Sequence, residues 1–216
     1  MVEYGKLISV GRVYRLMKSM SLPKMSTVKP MSTYPKSEHG EYTNHLEQRF
    51  NPTAPNLVWV SDITYVKVAG RFCYICVIID LFSRKVIAYK TSVKIDTRLV
   101  LDTFRMAYSK RGCPKGGMFH SDRGSQYTAK EFRREIDIAE FVQSFSAKGH
   151  PYDNAVVESF FKYLKKEELN RRSYNTLNEL NLSLFEYIEG FYNPRRPHYS
   201  NDLMSPDEKE AAFLYI

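Results

Sequence analysis

Trp59-Val60-Ser61-Asp62-Ile63-Thr64-Tyr65-Val66 alternates in the manner of a half-buried strand. With Val58 in front of it, one face carries Val58, Val60, Asp62, Thr64 and Val66. A carboxylate thus sits amid branched apolar groups, where a charge without a partner is costly. Working outward, Ala69-Gly70-Arg71 reads as a turn, Phe72 to Ile79 as an apolar second strand and Lys85 to Lys90 as a short third. Thr97 to Lys110 places Val100, Phe104, Ala107 and Tyr108 on one helical face, and Gly112 and Pro114 stop it. Gly117 to His120 is a short strand, Thr128 to Ala139 a helix capped by Thr128, and Phe141 to Phe145 another strand. Two helices, about Asp153 to Leu169 and Thr176 to Tyr192, precede an irregular tail. The order β-β-β-α-β-α-β-α predicts an α/β fold, a mixed five-stranded sheet with helices on both sides.

Residues 1–50 have a different texture. Val10, Val13, Tyr14, Leu16 and Met17 fall at helical spacings behind Ser9 as N-cap, which predicts one short helix in residues 1–22. Such a helix cannot bury its apolar stripe alone. Residues 23–50 read as a basic linker, because Leu22 to Lys36 is rich in Pro, Ser, Thr and Lys and has no period. Residues 51–210 make the main domain.

The 216 residues carry a net charge of +8 and a pI near 9.3, the electrostatic footprint of a nucleic-acid-binding domain. A hydrophobic fraction of 43% and a charged fraction of 26% exclude a wholly disordered or fibrous chain. No apolar run reaches membrane-spanning length, since Tyr74 to Ile79 is stopped by Asp80. Residues 1–5 lack the layout of a secretory signal, and three cysteines are too few for a disulfide framework. Both features predict a cytoplasmic protein. Cys73 and Cys76 lie in the second strand, pointing to opposite faces, and read as small core residues.

Two further acids fall at informative places. Asp122 directly follows the fourth strand in Phe119-His120-Ser121-Asp122-Arg123-Gly124-Ser125-Gln126-Tyr127, where open α/β sheets bind ligands. Glu158 lies in the helix containing Tyr152-Asp153-Asn154-Ala155-Val156-Val157-Glu158-Ser159-Phe160-Phe161. If the first and fourth strands are neighbours, Asp62, Asp122 and Glu158 converge. Three oxygen ligands with no Cys or His suit Mg2+ or Mn2+. Two such ions, roughly 3.5–4 Å apart, clamp the attacking and leaving oxygens of a phosphoryl transfer. Lys162, Lys165 and Lys166 follow along the same side of the helix, suited to flanking phosphates, although Glu158 and Lys162 equally make an ordinary i,i+4 surface pair.

Between Asp122 and Glu158 lie 35 residues, and between Asp62 and Asp122 lie 59. With these spacings the chain resembles the catalytic core of the retroviral-integrase superfamily, and more narrowly the second-frame (OrfB) transposase of the "IS three" insertion sequences. The blocks that carry the resemblance are Trp59 to Tyr65, Val77 to Arg84, His120 to Tyr127, Tyr152 to Phe161, Phe191-Tyr192-Asn193 and Arg195-Arg196-Pro197-His198. It implies an RNase-H-like fold whose metal-binding, catalytic triad is Asp62, Asp122 and Glu158. It also implies metal-dependent cleavage at transposon ends, followed by attack of the freed 3′-hydroxyl on another phosphodiester. The partners implied are double-stranded DNA, further copies of the chain and a DNA-binding product of an upstream frame. Val10 to Met17 resembles only the last helix of the helix-turn-helix-like region of that family.

Asn154, one turn before Glu158, is expected either to orient that carboxylate or to touch DNA. Arg123, Arg195, Arg196 and His198 are candidate DNA contacts, with a solvated basic run as the alternative for the last three. His120 reads as a satisfied strand-end histidine or a phosphate contact, and Trp59 as a core residue. Two other functional classes fit the same features: a non-catalytic DNA-binding regulator of transposition and an RNase-H-like nuclease.

Overall fold

The computed structural model describes residues 9–20, 42–147 and 151–214, so the linker expected over Leu22 to Lys36 lies outside the described residues. Two compact units divide at His39. In the first, helix α1 spans Val10–Ser19, and the Ser9 side chain accepts from the Arg12 amide as the expected N-cap. The second unit begins at Gly40, earlier than the boundary expected at residue 51. Its first segment is anchored rather than extended. Leu46 is 2% exposed in the core, and the Tyr42 ring meets the edge of Phe145 at 4.8 Å.

A five-stranded sheet in the order β3-β2-β1-β4-β5 forms its centre, built from β1 (Val58–Val68), β2 (Arg71–Asp80), β3 (Val86–Ser92), β4 (Met118–Ser121) and β5 (Val142–Phe145). β1 and β2 pair antiparallel around Ala69 and Gly70, both at positive φ, the two-residue turn that matches strand twist. β4 lies parallel to β1 with His120 opposite Val60, and β5 lies parallel to β4.

The remaining helices are α2 (Thr97–Lys110), α3 (Ser125–Thr128), α4 (Lys130–Ile138), α5 (Ala155–Glu167), α6 (Leu177–Tyr187), α7 (Asn193–Arg195) and α8 (Pro206–Leu214). They cover both faces of the sheet, as expected. Val60 and Val68 of β1 join Phe160, Phe161 and Leu164 of α5 and Leu180 and Leu184 of α6 in one core layer. On the other face Trp59, Cys76 and Ile78 pack with Phe104 of α2 and Phe132 and Ile136 of α4. Cys73 and Cys76 enter opposite layers, and Trp59 is fully buried, both as read from the sequence.

Three elements differ from expectation. The single helix over residues 128–139 is two, because Ala129 adopts an extended backbone (φ −58°, ψ 137°) and Thr128 bonds back to the Gly124 carbonyl instead of capping forward. The helix expected from Asp153 starts at Ala155, after a 3-10 turn over Pro151–Asn154. The tail is not irregular: α8 docks its Glu210 onto Ser83 Oγ (2.8 Å) and Arg111 Nη1 (2.9 Å), while Asp207 pairs with Lys85 (2.7 Å). Among the described residues, no helix is long and apolar enough to cross a membrane.

Candidate active site

The three acids arrive from three elements. Asp62 stands on the β1 face that α5 covers, since its even-numbered neighbours Val60 and Val66 pack against Phe160 and Leu164. Asp122 leaves the end of β4, which is in register with β1, so each acid lies two residues beyond a paired position, Val60 or His120. Glu158 occupies the first turn of α5, where a carboxylate complements the helix dipole, and Lys165 and Lys166 occupy the last.

Electrostatics record the convergence. Burial, and then the charges of Asp122 and Glu158, push the Asp62 carboxyl from 3.8 up to about 7, against the opposing pull of its bond from the Ile63 amide and of Lys165. Asp122 is raised too, by desolvation, and lowered by the Gly124 amide, which donates to its Oδ1 at 2.9 Å. A Cβ on Gly124 would stand 2.9 Å from that same oxygen, so any larger residue here would push the Asp122 carboxylate aside. Among the described residues, no three His, Cys, Asp or Glu side chains close around one point as a finished metal cage.

Beneath the acids lies a polar floor. Ser61 Oγ and Tyr127 OH are 2.8 Å apart, both buried, which ties α3 to β1. Asn154, 5% exposed, donates from Nδ2 to the Ser61 carbonyl at 3.2 Å, and its Oδ1 has no hydrogen-bond partner among the described residues. Asn154 is thus a buried fastening between β1 and the start of α5. Asp153, to which the sequence pattern assigns no role, is also buried. Its carboxylate accepts from Asn44, Gln48 and the Ala147 amide at 2.8–3.1 Å, clamping the strand-to-helix connection. Only its side-chain chemistry, suited to turns, signals this in the sequence.

The expected basic contacts divide. Lys162, Arg123 and Arg195 are exposed, and Arg123 is steadied by the Ser146 and Tyr42 carbonyls. Lys165 and Lys166 are half-buried, and Lys165 Nζ stands 4.9 Å over the Tyr65 ring. Arg196 is not part of an open basic run: its guanidinium pairs with Glu167 at 3.0 Å and stacks on Tyr163 at 4.1 Å. His198 is likewise drawn inward, its ring edge-on to Tyr192 at 5.0 Å, and burial lowers it from 6.5 to about 4. His120 is the satisfied strand-end histidine, held by Ser144 (2.8 Å) and Ser146 (3.2 Å) and pushed down to about 4 by burial.

Two models described as an integrase core domain match residues 52–151 and 140–206. The chain is 37% identical over 207 residues to the transposase for insertion sequence element IS904 of Lactococcus lactis, covering 95% of this chain and 82% of that protein. It is 37% identical over 167 residues to transposase InsF for insertion sequence IS3A of Escherichia coli, covering 77% of this chain and 58% of InsF. Among solved structures, the HTLV-2 integrase catalytic core domain in complex with magnesium superposes with a TM-score of 0.55 at 19% identity, covering 73% of this chain and 98% of that one. A chain of the simian T-cell lymphotropic virus intasome superposes with a TM-score of 0.59 at 17% identity, over 81% of this chain and 60% of that one. The sheet and its flanking helices thus have the RNase-H-like fold of retroviral integrase cores, and by sequence the chain belongs to the insertion-sequence transposases with an integrase core domain.

Proposed function

We propose that Asp62, Asp122 and Glu158 are the catalytic residues of this transposase and the ligands of Mg2+ or Mn2+, two ions being the expected complement. The observation that supports this is the state of Asp62: burial first, and then the charges of Asp122 and Glu158, lift its half-buried carboxyl to about 7, which makes a site that gains from a cation. Its donors are all oxygen, which suits hard divalent ions. Such ions, when bound, polarise a phosphodiester and lower the pKa of an attacking water or 3′-hydroxyl.

The side chains do the rest. Asp62 must release its proton to act as a ligand, and Lys165 beside it favours that release. Gly124 holds Asp122 in place, and Asn154 holds the start of α5 against the strand that carries Asp62. The substrate we assign is double-stranded DNA, the element's ends and its target, with Lys162, Lys165, Lys166, Arg123 and Arg195 meeting phosphates. Assembly of several copies on DNA, an upstream-frame DNA-binding partner and work in the cytoplasm at the nucleoid belong to the same proposal.

The test is incubation of the protein with labelled terminal-repeat DNA and Mg2+ or Mn2+. Cleavage and strand joining are expected from the unaltered protein and neither from Asp122→Asn. Undiminished cleavage by that variant would sink the assignment. Hydrolysis without joining would instead favour a nuclease.

A further inference from the structure

Past Ile63, the β1 face that α2 and α4 cover runs out into solvent. Tyr65 and Phe72, from β1 and β2, are 55% and 51% exposed there, and their rings meet edge to face at 5.2 Å. The two are diagonal neighbours, since Tyr65 pairs with Tyr74 and Lys67 with Phe72. Lys67 Nζ stands 5.7 Å from the Phe72 ring centre, and Lys165 Nζ stands 4.9 Å from that of Tyr65. Lys165 comes from the opposite layer, past an edge of β1 that has no strand beside it between Ser61 and Lys67 among the described residues. It also lies within electrostatic reach of Asp62.

We propose that Tyr65 and Phe72, flanked by Lys67 and Lys165, form a stacking platform for an unpaired DNA base close to the phosphodiester handled at Asp62. The proposal rests on the catalytic reading of Asp62 given above. Two large rings left in water at a sheet face gain most from a flat apolar partner, and the lysines on either side add the charge complement of a phosphate backbone. Paired bases inside a duplex hide their faces against one another, so the partner is a base that has left the stack. Tyr65 is three residues from Asp62, about 10 Å along the strand but on the other face of β1, so a strand of a few nucleotides reaches both by crossing the open edge where Lys165 passes. The platform thereby holds a frayed or single-stranded end across the open edge of β1 from Asp62 while the lysines fix its backbone.

The test uses the full chain, without divalent metal, and two labelled oligonucleotides: a fully paired terminal-repeat duplex and the same duplex with a short unpaired end carrying 2-aminopurine. Tyr65→Ala is expected to weaken binding of the unpaired-end DNA about ten-fold and that of the paired duplex less than about two-fold. Tyr65→Phe is expected to bind as the unaltered chain does. The 2-aminopurine fluorescence is expected to be quenched by the unaltered chain and by Tyr65→Phe, and restored with Phe72→Ala or Tyr65→Ala. Equal loss for both DNAs, no loss for either, or failure of the unaltered chain to bind overturns the platform. Because no metal is present, this readout is independent of cleavage. Cleavage surviving in Asp122→Asn defeats the triad and leaves the stacking result standing, whereas a failed stacking test leaves the triad untouched.

Discussion

Asn154 donates from Nδ2 to the Ser61 carbonyl at 3.2 Å, linking the residue before Asp62 to the helix turn before Glu158. That hydrogen bond joins the strand that carries Asp62 to the start of the helix that carries Glu158, beside the apolar packing of α5 on β1. Removing it with Asn154→Ala is expected to cost about 1–2 kcal/mol in urea unfolding. Single-turnover cleavage should fall at least ten-fold while DNA affinity stays within two-fold, on the order of what loosening a catalytic geometry does. A matching loss of DNA affinity would show that Asn154 contacts DNA after all.

Asp62 carries a stability cost that a cation would relieve. Its carboxyl is raised to about 7 in the fold from 3.8, so between those pH values the folded chain holds the extra proton and stability falls as pH rises. Metal-free Asp62→Asn is expected to be more stable than the unaltered protein at pH 8, by on the order of 2–4 kcal/mol, and to match it near pH 4. Mg2+ should raise the melting temperature of the unaltered protein and leave that of Asp62→Asn unmoved. Calorimetry at the two pH values, with and without Mg2+, checks both.

Gly124 bears on Asp122 in a different way. A methyl group there would meet Asp122 Oδ1 and Gln126 Oε1, each at 2.9 Å, and would displace the carboxylate from the Gly124 amide. Gly124→Ala is expected to lower cleavage by about ten- to a hundred-fold at little cost in melting temperature, because the loop is at the surface. Unchanged rates would show that Asp122 needs no such support.

His198 predicts acid sensitivity with the opposite sign to Asp62. Burial, with Arg196 and Arg84 nearby, lowers it to about 4 from 6.5, so below pH 6.5 the unfolded chain takes up a proton that the fold refuses. The loss is complete only below about pH 4. Moving from pH 7.5 to pH 5 should cost about 2 kcal/mol through this group alone. His198→Gln should flatten that part of the pH–stability curve, which urea titrations at the two pH values will show.

What the sequence discloses and what it hides follow a physical division. The β1–β2 hairpin is legible because alternation, the Ala69-Gly70 turn and an apolar run agree at each level. The convergence of Asp62 and Asp122 is legible once β1 and β4 are neighbours. The break at Ala129 is not, because alanine is a strong helix former and its extended backbone is imposed by packing. Arg196 and His198 read as surface charge because only the fold brings Glu167, Tyr163 and Tyr192 to them. Helix α8 did leave a local sign: Ser205 and Glu208 form a reciprocal capping box, at 2.7 and 3.3 Å, around Pro206 at the first helical position.

The docking of α8 has a further meaning for how the protein comes into being. Ser83 meets Glu210 across 127 positions of chain. At synthesis rates of about 5–20 residues per second, the turn after β2 leaves the ribosome on the order of ten seconds before its partner exists. Through that interval Arg111 and the buried Asp80 lack the carboxylate that joins their network in the finished protein. The nascent sheet therefore waits for its clasp, and a chain interrupted before Glu210 would expose the β2–β3 turn to proteases first.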